Sequence, residues 1–355
     1  MSCRRSDRYR RWPGARGQRG AALVVAMFIF AICTALIVAM KGEFTRFYQR
    51  SANLLAMAQA QSYLRGAEEL ASLALIADYD SDKETQDLRD HLKETWASEA
   101  QPYAIDGGGW MAGTLVDLQG RFNLNSLASK PRSQQGTGPA AQRFTVAQRQ
   151  FIRLLQALGE PEISQFEAIA ITQSVSDWVD ADDTPYSDGA EDQYYYSQTP
   201  SYRAANQSMA SVSELRSVAN ITPEIYAALR PYVTVWPRDF DANKHKLNIH
   251  TAPAVVLRSL NEDTVLDPLS ESEGEELIQT REEQGFQDIN ALRDHPVFDG
   301  RRDKMRDTWP LVGETSDWFL LDAQVELADR NMRLYSVLWR DNRNIWAVSR
   351  SSGGR

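Results

Sequence analysis

The sequence has 355 residues, 43% of them apolar and 25% charged, with a formal net charge of −9. Those proportions exclude a disordered tail and a polytopic membrane protein. The acidic balance argues against nucleic acid as a main partner, and two cysteines exclude a disulfide scaffold and a four-thiolate zinc site. The total averages two unlike segments. Residues 1–20 carry seven Arg (4, 5, 8, 10, 11, 16 and 19) against one acid, Asp7, for +6; the rest carries 32 basic and 47 acidic residues, or −15.

Residues 21–40 lack any charge, and twenty apolar residues in a helix cross a hydrocarbon core of about 30 Å. Arg on the N-terminal side predicts a cytoplasmic N-terminus and an exported remainder. No A-x-A cleavage site follows, so an uncleaved signal anchor is one reading. The junction Arg16-Gly17-Gln18-Arg19-Gly20 before Ala21-Ala22-Leu23-Val24-Val25 resembles a type IV prepilin leader. The resemblance implies cleavage by a prepilin peptidase between Gly20 and Ala21, with methylation of the new N-terminus. It departs at Ala21, where most members have Phe or Met, and at Val25, the fifth mature position, where most have Glu. A buried N-terminal amine needs a counter-charge, which in pilins that Glu supplies to a neighbour. A subunit with Val25 suits the outermost place in a filament, as in K-type minor pseudopilins of type II secretion systems. Cys3 lies in the leader and Cys33 in the apolar segment, so the exported part would hold no thiol and metal is the available staple.

Helical spacing from Leu54 to Ala74 predicts one helix from about 21 to 77, with Gly42 a weak point at the membrane surface. The charged stretch 78–94 reads as a loop and a short helix. Gly107-Gly108-Gly109 leads into a strand near 110–117. Asp117-Leu118-Gln119-Gly120-Arg121-Phe122-Asn123-Leu124-Asn125-Ser126-Leu127 resembles a motif of K-type pseudopilins. Residues 130–141 read as a loop, and 145–312 as mainly helical. Within that stretch Ser213, Thr222 and Thr251 look like helix caps, and units at 221–229 and 247–260 suggest a repeated helical hairpin. Residues 319–328, 332–340 and 345–348 alternate as strands of a meander, with turns at 329–331 and 341–344.

The strongest chemical signal lies at 177–192, where seven carboxylates fall within 16 residues and no Lys or Arg occurs between Arg153 and Arg203. Such a run is often a solvated loop. Here Trp178 and Tyr194–Tyr196 flank it, which favours order, and a hard divalent cation would neutralise it, because Ca²⁺ takes about 6–8 oxygens. Asp180, Asp182, Asp183, Glu191 and Asp192 can converge across a turn at Pro185 and Gly189. The EF-hand spacing is missing. The segment, with Tyr202–Asn206 and Ser213–Arg216 after it, resembles the calcium-binding loop of K-type pseudopilins. The resemblance implies two calcium ions and those five carboxylates as ligands, with Asn206 as a further candidate.

The resemblance spans most of the chain. It implies an α+β protein: a long N-terminal transmembrane helix packed on an antiparallel sheet, the pseudopilin fold, with a large inserted all-α domain. The implied layout is leader 1–20, transmembrane helix 21–40, pseudopilin helix and first strands 41–126, insert 127–312 and last strands 313–355. The implied function is structural: a tip subunit in the inner membrane, its body in the periplasm, initiating a pseudopilus with I- and J-type minor pseudopilins. The alternative is a membrane-anchored periplasmic hydrolase using clustered carboxylates. Against it, the acids share one loop, no G-x-S-x-G, H-E-x-x-H or P-loop occurs, and His91, His245, His250 and His295 are scattered and read as surface or capping residues. Helical hairpins bind nucleic acid when basic, and these lie in the acidic segment.

Overall fold

The computed structural model describes residues 20–98, 101–106, 108–129, 143–328 and 330–352. The Arg-rich leader before Gly20, the loop read at 130–141, Gly107 and Asp329 lie outside them. The chain divides into two compact units, Met1–Gln59 and Ala60–Arg355.

In the first unit the described residues are helical from Ala21, the start of α1 (Ala21–Thr85). Its apolar residues stand exposed, Leu23, Phe28, Ile32 and Leu36 among them, as a lipid-facing helix requires. The hydroxyls of Thr34 and Thr45 donate back to Phe30 O (2.8 Å) and Lys41 O (2.9 Å), so neither needs water. The helix runs through Gly42 unbroken.

In the second unit α1 buries Ala60, Leu64, Ala67, Ala71 and Leu75, one face at spacings of three and four. This face packs on a five-stranded antiparallel sheet of order β1 (Tyr103–Ala104), β2 (Gly109–Asp117), β7 (Trp318–Leu327), β8 (Arg330–Asp341) and β9 (Asn344–Ser351). Alternation puts Phe319, Leu321, Ala323 and Val325 of β7 in that core. On the other face, Trp318, Trp339 and Trp346 stack in register from β7 to β9 at centroid separations of 6.1 and 4.8 Å, and Trp236 extends the stack at 5.9 Å. The strands and the meander agree with the sequence pattern.

Helix α1 ends at Thr85 rather than near 77. Asp78 and Asp82 are buried, and Arg340 of β8 reaches Asp78 Oδ2 at 3.1 Å, so charges that read as a loop are neutralised by a strand far along the chain.

Between β2 and β7 lies a helical region with its own core, running from Phe122 to Val312. Its elements are β3 (Phe122–Asn123), α2 (Val146–Gln156), α3 (Gln165–Val179), α4 (Asp192–Tyr196), α5 (Pro223–Leu229), β4 (Val233–Thr234), β5 (Leu247–Asn248), α6 (Ala254–Leu257), α7 (Glu271–Glu283), α8 (Ile289–Arg293) and β6 (Val312–Gly313). Thr145, Ser164 and Ser270 close capping boxes at α2, α3 and α7, which fixes where those helices start. Two short parallel pairs, β3 with β4 and β5 with β6, each tie one end of the region to its middle.

The 117–127 motif serves this junction. Asp117, buried, accepts Gln119 N (2.7 Å), Ser316 Oγ (2.6 Å), Asn248 Nδ2 (3.1 Å) and the Thr251 hydroxyl. A Cβ on Gly120 would come 2.6 Å from Thr251 Oγ1, so only glycine fits. Asn125 donates to Val235 O at 2.8 Å and accepts Met209 N at 2.8 Å.

Four local expectations change. Thr222 caps α5, but Ser211 rather than Ser213 caps the short turn of helix before it, and Pro253 rather than Thr251 holds the N-cap position of α6, the Thr251 hydroxyl being bound to Asp117. The units at 221 and 247 are not copies, since α5 precedes its strand and α6 follows one. His295 does cap, accepting Val297 N, but His250 is buried and burial holds its imidazole down at about 4.

Candidate metal centre

The acidic loop begins where α3 stops. Asp180 is the C-cap, buried, and its N–H still donates to Ser176 O at 2.9 Å. Its Oδ1 accepts Asp182 N (3.2 Å), and Asp182 Oδ1 accepts Thr184 N (2.9 Å), a run of Asx turns that folds the loop tightly. The chain returns through Gly189 and the buried Ala190 to Glu191, the residue before α4.

This return brings one oxygen each of Asp180, Asp182 and Glu191 within 4.8 Å of one another. Glu191 is buried, yet no hydrogen-bond donor among the described residues reaches either of its carboxylate oxygens. Burial, and then the charges of Asp177, Asp180, Asp183 and Asp192, push its carboxyl up to about 7. A carboxylate taken from water without a partner is costly.

The other sequence candidates sit around this trio. Asn206, in the left-handed region at φ 44°, donates Nδ2 to Asp183 Oδ1 (2.8 Å) and Asp182 O (3.3 Å). Its buried Oδ1 accepts nothing among the described residues. Asp192 is not one of the three whose oxygens converge; its Oδ1 accepts Ala204 N at 3.0 Å, and Oδ2 lies 4.0 Å from Arg203 Nε. The flanking aromatics form an ordered wall, with Trp178, Tyr195 and Tyr202 in mutual ring contact at 5.2–6.4 Å. The donors facing the trio are oxygens, with no thiol or imidazole among them. That set fits a hard cation such as Ca²⁺ rather than Zn²⁺.

A second carboxylate trio escaped sequence reading: Asp78, Asp90 and Glu94, also with oxygens within 4.8 Å. Arg340 pairs with Asp78 and Asp90 and donates to Ser316 O at 2.7 Å. Glu94 accepts His91 N at 3.1 Å and the Trp96 indole N–H. Nothing local in the sequence joins residue 340 to residue 90.

At the N-terminal junction Gly20 is an exposed turn residue, Ala21 opens α1, and Val25 is exposed within it.

Among the described residues, a single helix long and apolar enough to cross a membrane, an α/β unit with one antiparallel sheet, and a helical region inserted between its strands define a membrane-anchor candidate of the pilin-like class. The sequence profile of the family described as "Type II secretion system (T2SS), protein K" matches residues 120–238 and 247–312. The chain is 33% identical to the type II secretion system protein K of Pseudomonas aeruginosa over 92% of its own length and 90% of that protein's. It is 31% identical to that of Aeromonas hydrophila over 96% and 99%. GspK in the crystal structure of the GspK-GspI-GspJ complex from enterotoxigenic Escherichia coli shares the fold, with a TM-score of 0.71 at 24% identity over 86% of this chain and 100% of that one. The chain belongs to the type II secretion system protein K family and is a minor pseudopilin, a structural component of the secretion machine. Nothing in these likenesses supports the hydrolase reading.

Proposed function

We propose that this minor pseudopilin is the tip subunit of the pseudopilus and initiates its assembly, anchored in the inner membrane with its body in the periplasm. The observation that carries the tip reading is Val25: the fifth residue after the Gly20–Ala21 junction carries no charge and has none to offer the N-terminal amine of a subunit above it. The candidate anchor α1 and the Arg excess before it support the orientation. The complex of the Escherichia coli relative with GspI and GspJ supports I- and J-type minor pseudopilins as partners. Prepilin peptidase would cut between Gly20 and Ala21, and the new N-terminus would be methylated.

We further propose that the 180–206 loop holds calcium. Asp180, Asp182 and Glu191 would form the centre of the site, with Asp183, Asp192 and Asn206 completing a two-ion set. The ion would neutralise the loop and fix its fold. The buried, unpartnered Glu191 carboxylate supports this reading.

In cells, Gly20→Ala is expected to leave an uncleaved precursor on a gel and to stop secretion; normal processing would refute the leader assignment. Val25→Glu is expected to be processed normally yet to impair filament initiation, read as secreted protein in the medium; wild-type secretion removes the tip argument.

A further inference from the structure

The loop between Asp183 and Glu191 contains no helix or strand, and beyond its own turns it is held from outside. Helix α3 supplies fixed points. Asp177 is fully buried, and both of its carboxylate oxygens lie 3.2 Å from the backbone N–H of Tyr186. Gln173, one turn earlier and also buried, accepts the N–H of Asp188 at 2.7 Å. Residues four apart share a helix face, so this one face grips the returning chain at two alternate positions. Between grip and ligand comes Gly189. A Cβ there would stand 1.9 Å from Asp177 Oδ2 and 2.9 Å from its Cγ, a contact no side chain can make. The chain is thus laid against α3 until Glu191 arrives beside Asp180 and Asp182, which leave the end of the same helix.

We infer that Asp177 and Gln173 are a template for the metal loop: positioning residues that set the distance of Glu191 from Asp180 and Asp182, with Gly189 as the residue that permits the fit. This rests on the cation reading of the loop. Asp177 acts through Tyr186 and Gly189 and is not itself a ligand. An amide oxygen accepts the Tyr186 N–H as a carboxylate does, so Asn serves in its place, whereas a ligand replaced by Asn would lose a charge the cation needs.

The test is calcium titration by calorimetry on the full chain in detergent, beside hydrogen exchange of the Tyr186 and Asp188 amides without calcium. Asp177→Asn is expected to bind as wild type does. Asp177→Ala and Gly189→Ala are each expected to bind about 10–100-fold more weakly, the usual cost of losing an outer support of a metal ligand. Combining the two should weaken binding no further than Asp177→Ala alone, because the clash and the grip are one contact. Val175→Ala, which hollows out the same helix at a fully buried position, is expected to leave affinity unchanged; a loss there would make the effect general destabilisation and overturn the proposal. Equal weakening by Asp177→Asn and Asp177→Ala would make Asp177 a ligand and overturn it too. Amides that exchange equally in wild type and Asp177→Ala overturn the template whatever the metal does. A wild-type chain that takes up no calcium overturns the cation reading itself.

Discussion

Two carboxylate trios in this chain are alike in composition and in spacing, yet they are completed differently. Asp78, Asp90 and Glu94 surround an arginine: Arg340 pairs with two of them, and the third accepts hydrogen bonds from His91 N and the Trp96 indole. Asp180, Asp182 and Glu191 include a buried carboxylate that no donor among the described residues satisfies. The first trio is closed by the fold; in the second, the described fold leaves the Glu191 carboxylate without a donor. A count of acids does not separate the two cases. The positions of unsatisfied oxygens do.

The largest expected effect comes from opening the closed trio. Arg340→Met strands Asp78 and Asp90 in the interior, and removing one partner of a buried pair costs about 3–5 kcal/mol. Urea unfolding of the full chain in detergent should show that loss, with calcium unable to restore it. If calcium did restore it, this trio too would be a metal site, and the contrast between the clusters would fall.

Much of this was legible in the sequence, for identifiable reasons. The candidate anchor segment and the β7–β9 meander carry unbroken apolar or alternating patterns, and the acidic loop declares itself because Lys and Arg are absent over a long local stretch. The closed trio does not, because its cation lies 262 residues from Asp78 and 250 from Asp90. The same distant arginine explains why α1 extends through Asp82 to Thr85, where a local reading of charge ends the helix. The template role of Asp177 was hidden for a related reason. It sits within the acidic run as one carboxylate among seven, and only its burial and its bond to Tyr186 N set it apart. His250 read as a surface or cap residue because nothing nearby shows that it is buried, in a stretch where the distant Arg281 guanidinium donates to Ile249 O and Ala252 O.

A smaller effect is expected from filling the open trio. Calcium at about a hundred times its dissociation constant should stabilise the chain by about 2.7 kcal/mol, seen as a rise in melting temperature that EDTA reverses. In Glu191→Gln the rise should disappear. The calcium-free variant should be at least as stable as the calcium-free wild type, since a buried charge among four others has gone. A calcium-free variant much less stable than wild type would show that Glu191 already has its partner within the fold, which would erase the difference between the trios.

The smallest effect, and the finest test of the comparison, is the pH dependence. Burial, with the charge of Asp78, pushes Glu94 up to about 8, and burial pushes Asp90 up to about 7; Glu191 also stands near 7. Each carboxyl therefore binds its proton more tightly folded than unfolded. Folding takes up protons between the unfolded values near 4–4.5 and these raised ones, so stability falls as pH rises through that window, by up to about 1.4 kcal/mol per pH unit for each group. Without calcium, both trios contribute and the melting temperature should drop steadily from pH 5 to pH 8. With calcium, the ion competes with the proton on Glu191, so binding strengthens as pH rises through 7 and the contribution of Glu191 to the slope is cancelled or reversed. The closed trio, which the ion does not reach, keeps its slope. Melting curves at pH 5.5 and 8 should therefore differ less with calcium than without it, and the remaining difference should be the part that Glu94→Gln reduces. A calcium-induced shift of equal size at both pH values would mean that no proton leaves Glu191 when the ion binds, and would place the ion elsewhere on the loop.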